Sequence, residues 1–408
     1  MKSIIKQASW LIIAQVITRA IGFFYTIFLA RNLGVEDYGL LSVGIAYFSI
    51  ISSFSDFGFN RYLIREISQE EGKKWELLWN LIILRLTLIC IFFGVFSVLL
   101  YLLDGNRLRV SVILLASLAV LPQTIAITFD GLFIALRKLQ FSAIALIVSS
   151  IGTVLLGFFL VNKGFGVIGA VNALILGQFL FVLTFALLLY FNHGIKSSQI
   201  EFSVIKKALA GSLPYGLLGI LGLLYFKIDT ILLSYLRGNF ETGIYGAAYK
   251  FFEVITFIPA ALSTALFPVL AKLQDVDNEQ IKKLYFKSLK ILFIISLFTV
   301  LAFLIFLPFV IKLFMPTYFS SIQAITILSF AIPFMFCHFP AVQVLLSTNK
   351  YFKVIILNSV ILLAVNIFLN IIFIPKYGFI AASWVTVLSE VLSFMIYFKF
   401  IEMKVFNK

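Results

Sequence analysis

An arginine stands about midway along the first long apolar stretch of this chain. Gln15, Thr18, Arg19, Gly22 and Thr26 recur at steps of three and four residues, so on a helix they share one face. A cation there either meets an anionic ligand through charge-assisted hydrogen bonds or pairs with a carboxylate on another helix. Lys227, Asp229, Lys250 and Glu253 carry four more charges into apolar segments. Lys250 and Glu253 are three apart, with Gly246 and Thr256 on the same face. They either pair with each other, or Lys250 faces a cavity opposite Arg19. Lys227 and Asp229 are two apart, so at most one of them looks inward. Asp229 lies on the small-residue stripe Ser212, Tyr215, Gly219, Gly222, Phe226, which suits close helix approach, and pairing with Lys250 is its structural alternative. Arg19, Gln15, Lys227 and Lys250 are the candidate substrate-binding groups.

The carboxylates form a second set, with coupling or gating as the candidate role: Asp56, Asp229, Glu253, Asp130 and Glu390. Asp56 nears the end of its helix, where Arg61 or Arg65 would partner it. Asp130 and Glu390 stand alone in apolar runs. Each is a proton or cation coupling site or a neutral, hydrogen-bonded structural acid. Arg85 is close enough to a cytoplasmic end to snorkel, and His338, within Phe336-Cys337-His338-Phe339-Pro340, reads as a core histidine. Charges at such positions cost roughly 2.5–3.5 kcal/mol each on insertion scales, so their presence calls for a use.

The elements that must position these groups are membrane helices. The 408 residues are 62% hydrophobic and 12% charged, more apolar surface than a soluble domain can hide. The expected fold is all-α and polytopic, with twelve spans at 8–29, 39–60, 77–103, 110–136, 140–161, 167–191, 208–233, 244–271, 288–311, 319–346, 354–374 and 379–400. The second span carries its own stripe of Ser42, Ala46, Ser49, Ser53, Asp56 and Asn60. Two adjacent lipid-length helices with polar faces imply that those faces meet water or a polar ligand. Pro122, Pro214, Pro259, Pro308, Pro333 and Pro340 mark expected bends.

A net charge of +14 would suggest nucleic acid in a soluble protein. Here it follows the connections. Of the 32 Lys and Arg residues, 21 fall at or near the side of the termini, 7 on the opposite side and four deep within spans. That asymmetry places both termini in the cytoplasm and excludes a nucleic-acid partner as the reason for the charge. The first apolar stretch is expected to be a retained helix, because no small-residue cleavage site follows it. Cys90 and Cys337 lie at no metal or redox spacing and read as packing residues. No Gly-rich phosphate loop, metal-ligand cluster or nucleophile motif is present, so neither an enzyme nor a bound cofactor is expected.

Internal similarity divides the chain. Lys138, Gly166, Ile168 and Ala170 recur 212 residues later as Lys350, Gly378, Ile380 and Ala382, and Tyr38-Gly39 resembles Tyr245-Gly246. Two six-helix lobes, 1–203 and 204–408, are expected. An even number of spans in each implies a pseudo-twofold axis along the membrane normal, with a cavity between the lobes.

Four stretches carry a family resemblance. Leu33-Gly34-Val35-Glu36-Asp37-Tyr38-Gly39, Phe54-Ser55-Asp56-Phe57-Gly58-Phe59-Asn60 and Arg65-Glu66-Ile67-Ser68 resemble the opening of the polysaccharide-biosynthesis flippases of the multidrug/oligosaccharidyl-lipid/polysaccharide exporter superfamily. Asp229 followed by Gly243-Ile244-Tyr245-Gly246-Ala247-Ala248-Tyr249-Lys250 is similar to that family's seventh-to-eighth helix region. The resemblance implies alternating-access export of a polyprenyl-diphosphate-linked oligosaccharide, an O-antigen or capsule or exopolysaccharide repeat unit, across the bacterial cytoplasmic (inner) membrane. It implies as partners the lipid bilayer, that substrate, and the polysaccharide polymerase and chain-length machinery. The rival readings are a multidrug antiporter of the same superfamily, which would favour an acidic cavity, and a membrane-embedded polysaccharide polymerase, which would carry a large external loop. A peptidoglycan-precursor flippase, often with further helices, is a third.

Overall fold

The computed structural model describes residues 2–273, 278–347 and 349–406. The side chains of Lys2 and Lys6 and all of Lys408, among the basic residues counted above, lie outside the described residues. The chain divides into two compact units, Met1–Leu223 and Leu224–Lys408. The first contains α1 (Lys2–Asp56), α2 (Phe59–Gln69), α3 (Lys74–Leu103), α4 (Arg107–Leu118), α5 (Val120–Ala135), α6 (Leu139–Leu160) and α7 (Gly166–His193). The division falls inside α8 (Phe202–Arg237). The second unit continues with α9 (Asn239–Ile255), α10 (Phe257–Leu273), α11 (Asn278–Phe314), α12 (Ser321–Ser329), α13 (Ile332–Ser347) and α14 (Phe352–Ile401).

Among the described residues, eight helical runs are long and apolar enough to cross a membrane, and the bent pair α12–α13 makes a ninth. Three of these are of double length, at 61, 54 and 55 residues. Each is interrupted near its middle, at Gly34, at Gly164 and Gly166, and at Gly378, where the backbone leaves the helical region. Twelve passes result, the number expected. At each of these places one or two glycines with non-helical φ/ψ kink an otherwise continuous helical run, leaving a tighter connection than the gaps between the expected spans. The outward faces are apolar: on α3, Val95, Val98, Leu99 and Leu102 are all exposed. Lipid is the solvent that suits such a face.

Three expected spans are broken rather than continuous, and proline explains all three. The helices pause at Ala119, Thr256 and Phe330, and Pro122, Pro259 and Pro333 each follow three residues later. A proline has no N–H to give the carbonyl four residues back, which is the last residue of α4, α9 and α12 respectively. The α12–α13 pair bends by 46°. Pro214, Pro308 and Pro340 are carried inside α8, α11 and α13 without interrupting them.

The 212-residue recurrence has a backbone counterpart. Gly166 (φ 52°, ψ −139°) and Gly378 (φ 55°, ψ −137°) share one unusual conformation. Gly34 (φ 76°, ψ 174°) and Gly238 (φ 86°, ψ −175°) share another. That second pairing sets Gly39 opposite Gly243, so the match of Tyr38-Gly39 with Tyr245-Gly246 is displaced by three residues. The conformation required of the glycine, rather than the neighbouring tyrosine, marks the equivalent point.

At Gly378 the requirement is strict. The backbone N–H of Phe379 donates to Glu241 Oε2 at 2.8 Å, and Arg237 donates to Glu241 Oε1 at 3.1 Å. A Cβ on Gly378 would meet the Glu241 carboxylate directly. Gly378→Ala is therefore expected to strain the backbone by about 1–3 kcal/mol and to release this cap as well. A lowered thermal midpoint of the detergent-solubilised protein checks it, with Glu241→Gln the milder change.

Candidate functional site

In the second unit α9 delivers Glu253 from its last turn, and two lysines converge on it. Lys227 Nζ contacts one carboxylate oxygen, and Lys250 Nζ reaches the other at 3.2 Å. The expected alternatives for Lys250 are thus not exclusive: it pairs with Glu253, yet 42% of its side chain is exposed. Two cations on one anion leave a surplus positive charge that a second anion can take up. Lys227 and Asp229, two apart on α8, are both engaged. Each reaches α9, Lys227 through its long stem to Glu253 and Asp229 directly to Tyr245.

Asp229 is 1% exposed and does not pair with Lys250, the alternative raised above. Its Oδ1 accepts from Asn370 at 2.7 Å, and its Oδ2 accepts from Tyr245 at 3.0 Å and Thr386 at 2.9 Å. Asn370 also donates to Asn366 at 2.9 Å, one turn earlier on α14. Neutral donors from α9 and α14 thus satisfy a buried carboxylate that these contacts leave without a cation. Neither asparagine was singled out from sequence. Their spacing of four within an apolar run was the available signal.

Glu390 is not solitary. Tyr225 donates to its Oε1 at 3.0 Å, and its Oε2 faces His338 Nδ1 at 3.0 Å. His338 is therefore more than a core histidine, although it does stack on Phe339 with centroids 5.0 Å apart. Asp130, also expected to be alone, is half-buried and faces Ser142 on α6.

In the first unit Arg19 is exposed on α1, Gln15 is half-buried, and Thr18 donates to the Gln15 carbonyl at 3.2 Å. Ile12, Ile13, Val16 and Ile17 are exposed on the flank of the same helix. The polar stripe therefore borders a greasy surface. Asp56 closes α1, and its partner is Arg85 at 3.2 Å, not Arg61 or Arg65. Arg65 is engaged by Glu66, and Arg61 lies over the Tyr215 ring. Arg85 does not snorkel; its side chain is 1% exposed. It donates to the Ser55 carbonyl at 3.2 Å and to Thr128 at 2.9 Å. The reason lies in the chain just beyond, where Phe57 (φ 40°) and Gly58 (φ 76°) break the helix. The carbonyls left without helical donors draw the guanidinium inward. Gly58 allows α8 to pack against this break, since a Cβ there would collide with the Ser212 and Gly216 backbone.

Of the nine candidate residues, the second unit thus gathers Lys227, Glu253 and Lys250 in one cluster, with Asp229 and Glu390 each in a network of its own. Cys337 is buried as expected, whereas Cys90 is exposed on the apolar side of α3. Among the described residues no group of three or more His, Cys, Asp or Glu is placed to hold a metal.

The sequence pattern of a family described as polysaccharide biosynthesis protein matches residues 4–274, and that of the MatE family matches residues 214–372. The lipopolysaccharide biosynthesis protein WzxC of Escherichia coli K12 is 26% identical over 72% of this chain and 59% of its own length. Two solved structures share the fold. A multidrug resistance MATE family transporter in an inward-facing conformation has a TM-score of 0.73 at 16% identity, covering 97% of this chain and 98% of its own. The lipid II flippase MurJ has a TM-score of 0.72 at 16% identity, covering 97% and 89%.

Proposed function

We propose, for a chain that belongs to the polysaccharide biosynthesis protein family and is a multi-pass membrane transporter rather than an enzyme, that it flips a polyprenyl-diphosphate-linked oligosaccharide. The cargo is an O-antigen, capsule or exopolysaccharide repeat unit. It passes from the cytoplasmic to the outer leaflet of a bacterial cytoplasmic membrane by alternating access of lobes 1–203 and 204–408. The bias of basic residues puts both termini in the cytoplasm. A polysaccharide polymerase and its chain-length machinery take the product.

The observation that carries this reading is the sharing of Glu253 by Lys227 and Lys250. A diphosphate brings the anionic oxygens that the surplus cation can take up, and Arg19 with Gln15 offers a second polar grip. A carrier of cationic drugs would instead expose acid. Here Asp229 and Glu390 are each 1% exposed, whereas Arg19 and Lys250 reach the surface of their units. The multidrug-antiporter alternative rests on the MatE match over 214–372. Asp56, Asp229, Glu253, Asp130 and Glu390 are the carboxylates proposed for coupling or gating.

The test is sugar exposure on the outer leaflet of cells lacking their own flippase. Arg19→Ala and Lys250→Ala are each expected to reduce it roughly tenfold, the loss of about one charge-assisted contact. Arg19→Lys keeps part of it. Unchanged export in Arg19→Ala removes that residue from the substrate path.

A further inference from the structure

His338 Nδ1 and Glu390 Oε2 face each other at 3.0 Å, and neither atom has another hydrogen-bond partner among the described residues. An ionised carboxylate is acceptor-only, so this contact closes when Nδ1 carries a hydrogen, in the neutral Nδ1–H tautomer or the imidazolium, or when the carboxyl itself is protonated. Tyr225 supplies a donor to the other carboxylate oxygen and none to this one. With the side chain of Glu390 2% exposed, a carboxylate beside a neutral imidazole is a net charge buried at membrane depth. One proton shared by the pair removes that charge.

The titratable groups tied to the pair come from three helices. They are Tyr225 on α8, Tyr249 on α9 and Tyr397 on α14, whose ring centroid lies 6.3 Å from that of His338. None of them is a cation, and Lys227 and Lys250 are engaged by Glu253. No fixed positive charge among these groups takes the place of the proton. His338 keeps 17% of its side chain exposed, so the histidine is the open end of the pair and the glutamate the sealed one.

We propose that His338 and Glu390, held by Tyr225, form the site that binds the coupling ion, and that this ion is a proton. The inference rests on the transporter reading above and names the ion that drives it. The pair takes up one proton while His338 is accessible from one side and gives it up when accessible from the other. No bond other than that to the proton is made or broken.

Two measurements on the full chain test this separately. In the first, ring-¹⁵N histidine spectra of the detergent-solubilised protein are followed from about pH 5 to 9, the range in which histidine changes charge. His338→Gln identifies the signal. A His338 titration that moves by about one pH unit or more in Glu390→Gln is expected, as for removal of a directly coupled charge. A signal that does not titrate, or whose midpoint is the same in Glu390→Gln, overturns the site. In the second, proteoliposomes of Escherichia coli polar lipids carry fluorescent undecaprenyl-diphosphate-N-acetylglucosamine as probe, with and without an imposed pH gradient. The gradient is expected to change the wild-type flipping rate severalfold and to have no effect in His338→Gln or Glu390→Gln. A gradient effect of the same size in both variants overturns the coupling. Failure of the wild type to move the probe counts against the substrate reading alone, because the histidine titration still decides whether the pair binds a proton.

Discussion

Arg85→Ala is expected to lower the stability of the protein by about 3–5 kcal/mol, the range for removing one partner of a buried ion pair. The Ser55 carbonyl and Thr128 lose a donor, and Asp56 loses its ion-pair partner. All sit at or against the end of α1, where Phe57 and Gly58 turn the chain with positive φ. Loss of the guanidinium should therefore loosen the break itself and the packing of α8 upon it. Arg85→Lys is expected to recover only part of the loss, because an ammonium cannot span three acceptors as a planar fork does. Asp56→Asn should be milder than either, since a third of that side chain already meets solvent and hydration can replace the pair. Thermal unfolding in detergent, with the monodisperse fraction after extraction, ranks the three. Equal midpoints for Arg85→Ala and wild type would sink the assignment.

The second large effect separates stability from transport. Asp229→Ala leaves Tyr245, Thr386 and Asn370 without their shared acceptor. Each unsatisfied buried group costs about 1–3 kcal/mol, so a poorly folded protein is expected. Asp229→Asn keeps the shape. Hydroxyls can accept as well as donate, and Thr386 already has the Ala382 carbonyl as an alternative acceptor at 3.0 Å. This variant is expected to extract and melt within about 1–2 kcal/mol of wild type, the worth of a weakened hydrogen bond or two. It should nevertheless lose export roughly tenfold or more if Asp229 has the gating role proposed for it, because its charge is gone. Normal export in Asp229→Asn would reduce Asp229 to a structural acid.

These two sites differ in how far they could be read from the chain alone. Asp229 was visible as a charge in an apolar run on a small-residue stripe, but its partners lie on α9 and α14, up to 157 residues away. Arg85 was misjudged because distance from a helix end was the only guide to its direction. The structure turns it toward a helix break whose carbonyls needed donors. Glu390 and His338 are 52 positions apart, and neither helix alone suggests that they meet. The broken spans were readable in part: proline was noted at all three, but only the pause at the carbonyl four residues earlier shows that it ends a helix there.

Hydropathy by itself determined that this is a multi-pass helical membrane protein, because apolar runs of helical spanning length must satisfy their backbone within the segment in lipid. The glycine motifs and the spacing of Lys250 and Glu253 were equally local. Which carboxylate meets which cation, tyrosine or histidine was decided by tertiary structure. Side chains brought together from distant helices depend on packing faces and bend angles, which no periodicity along one helix contains.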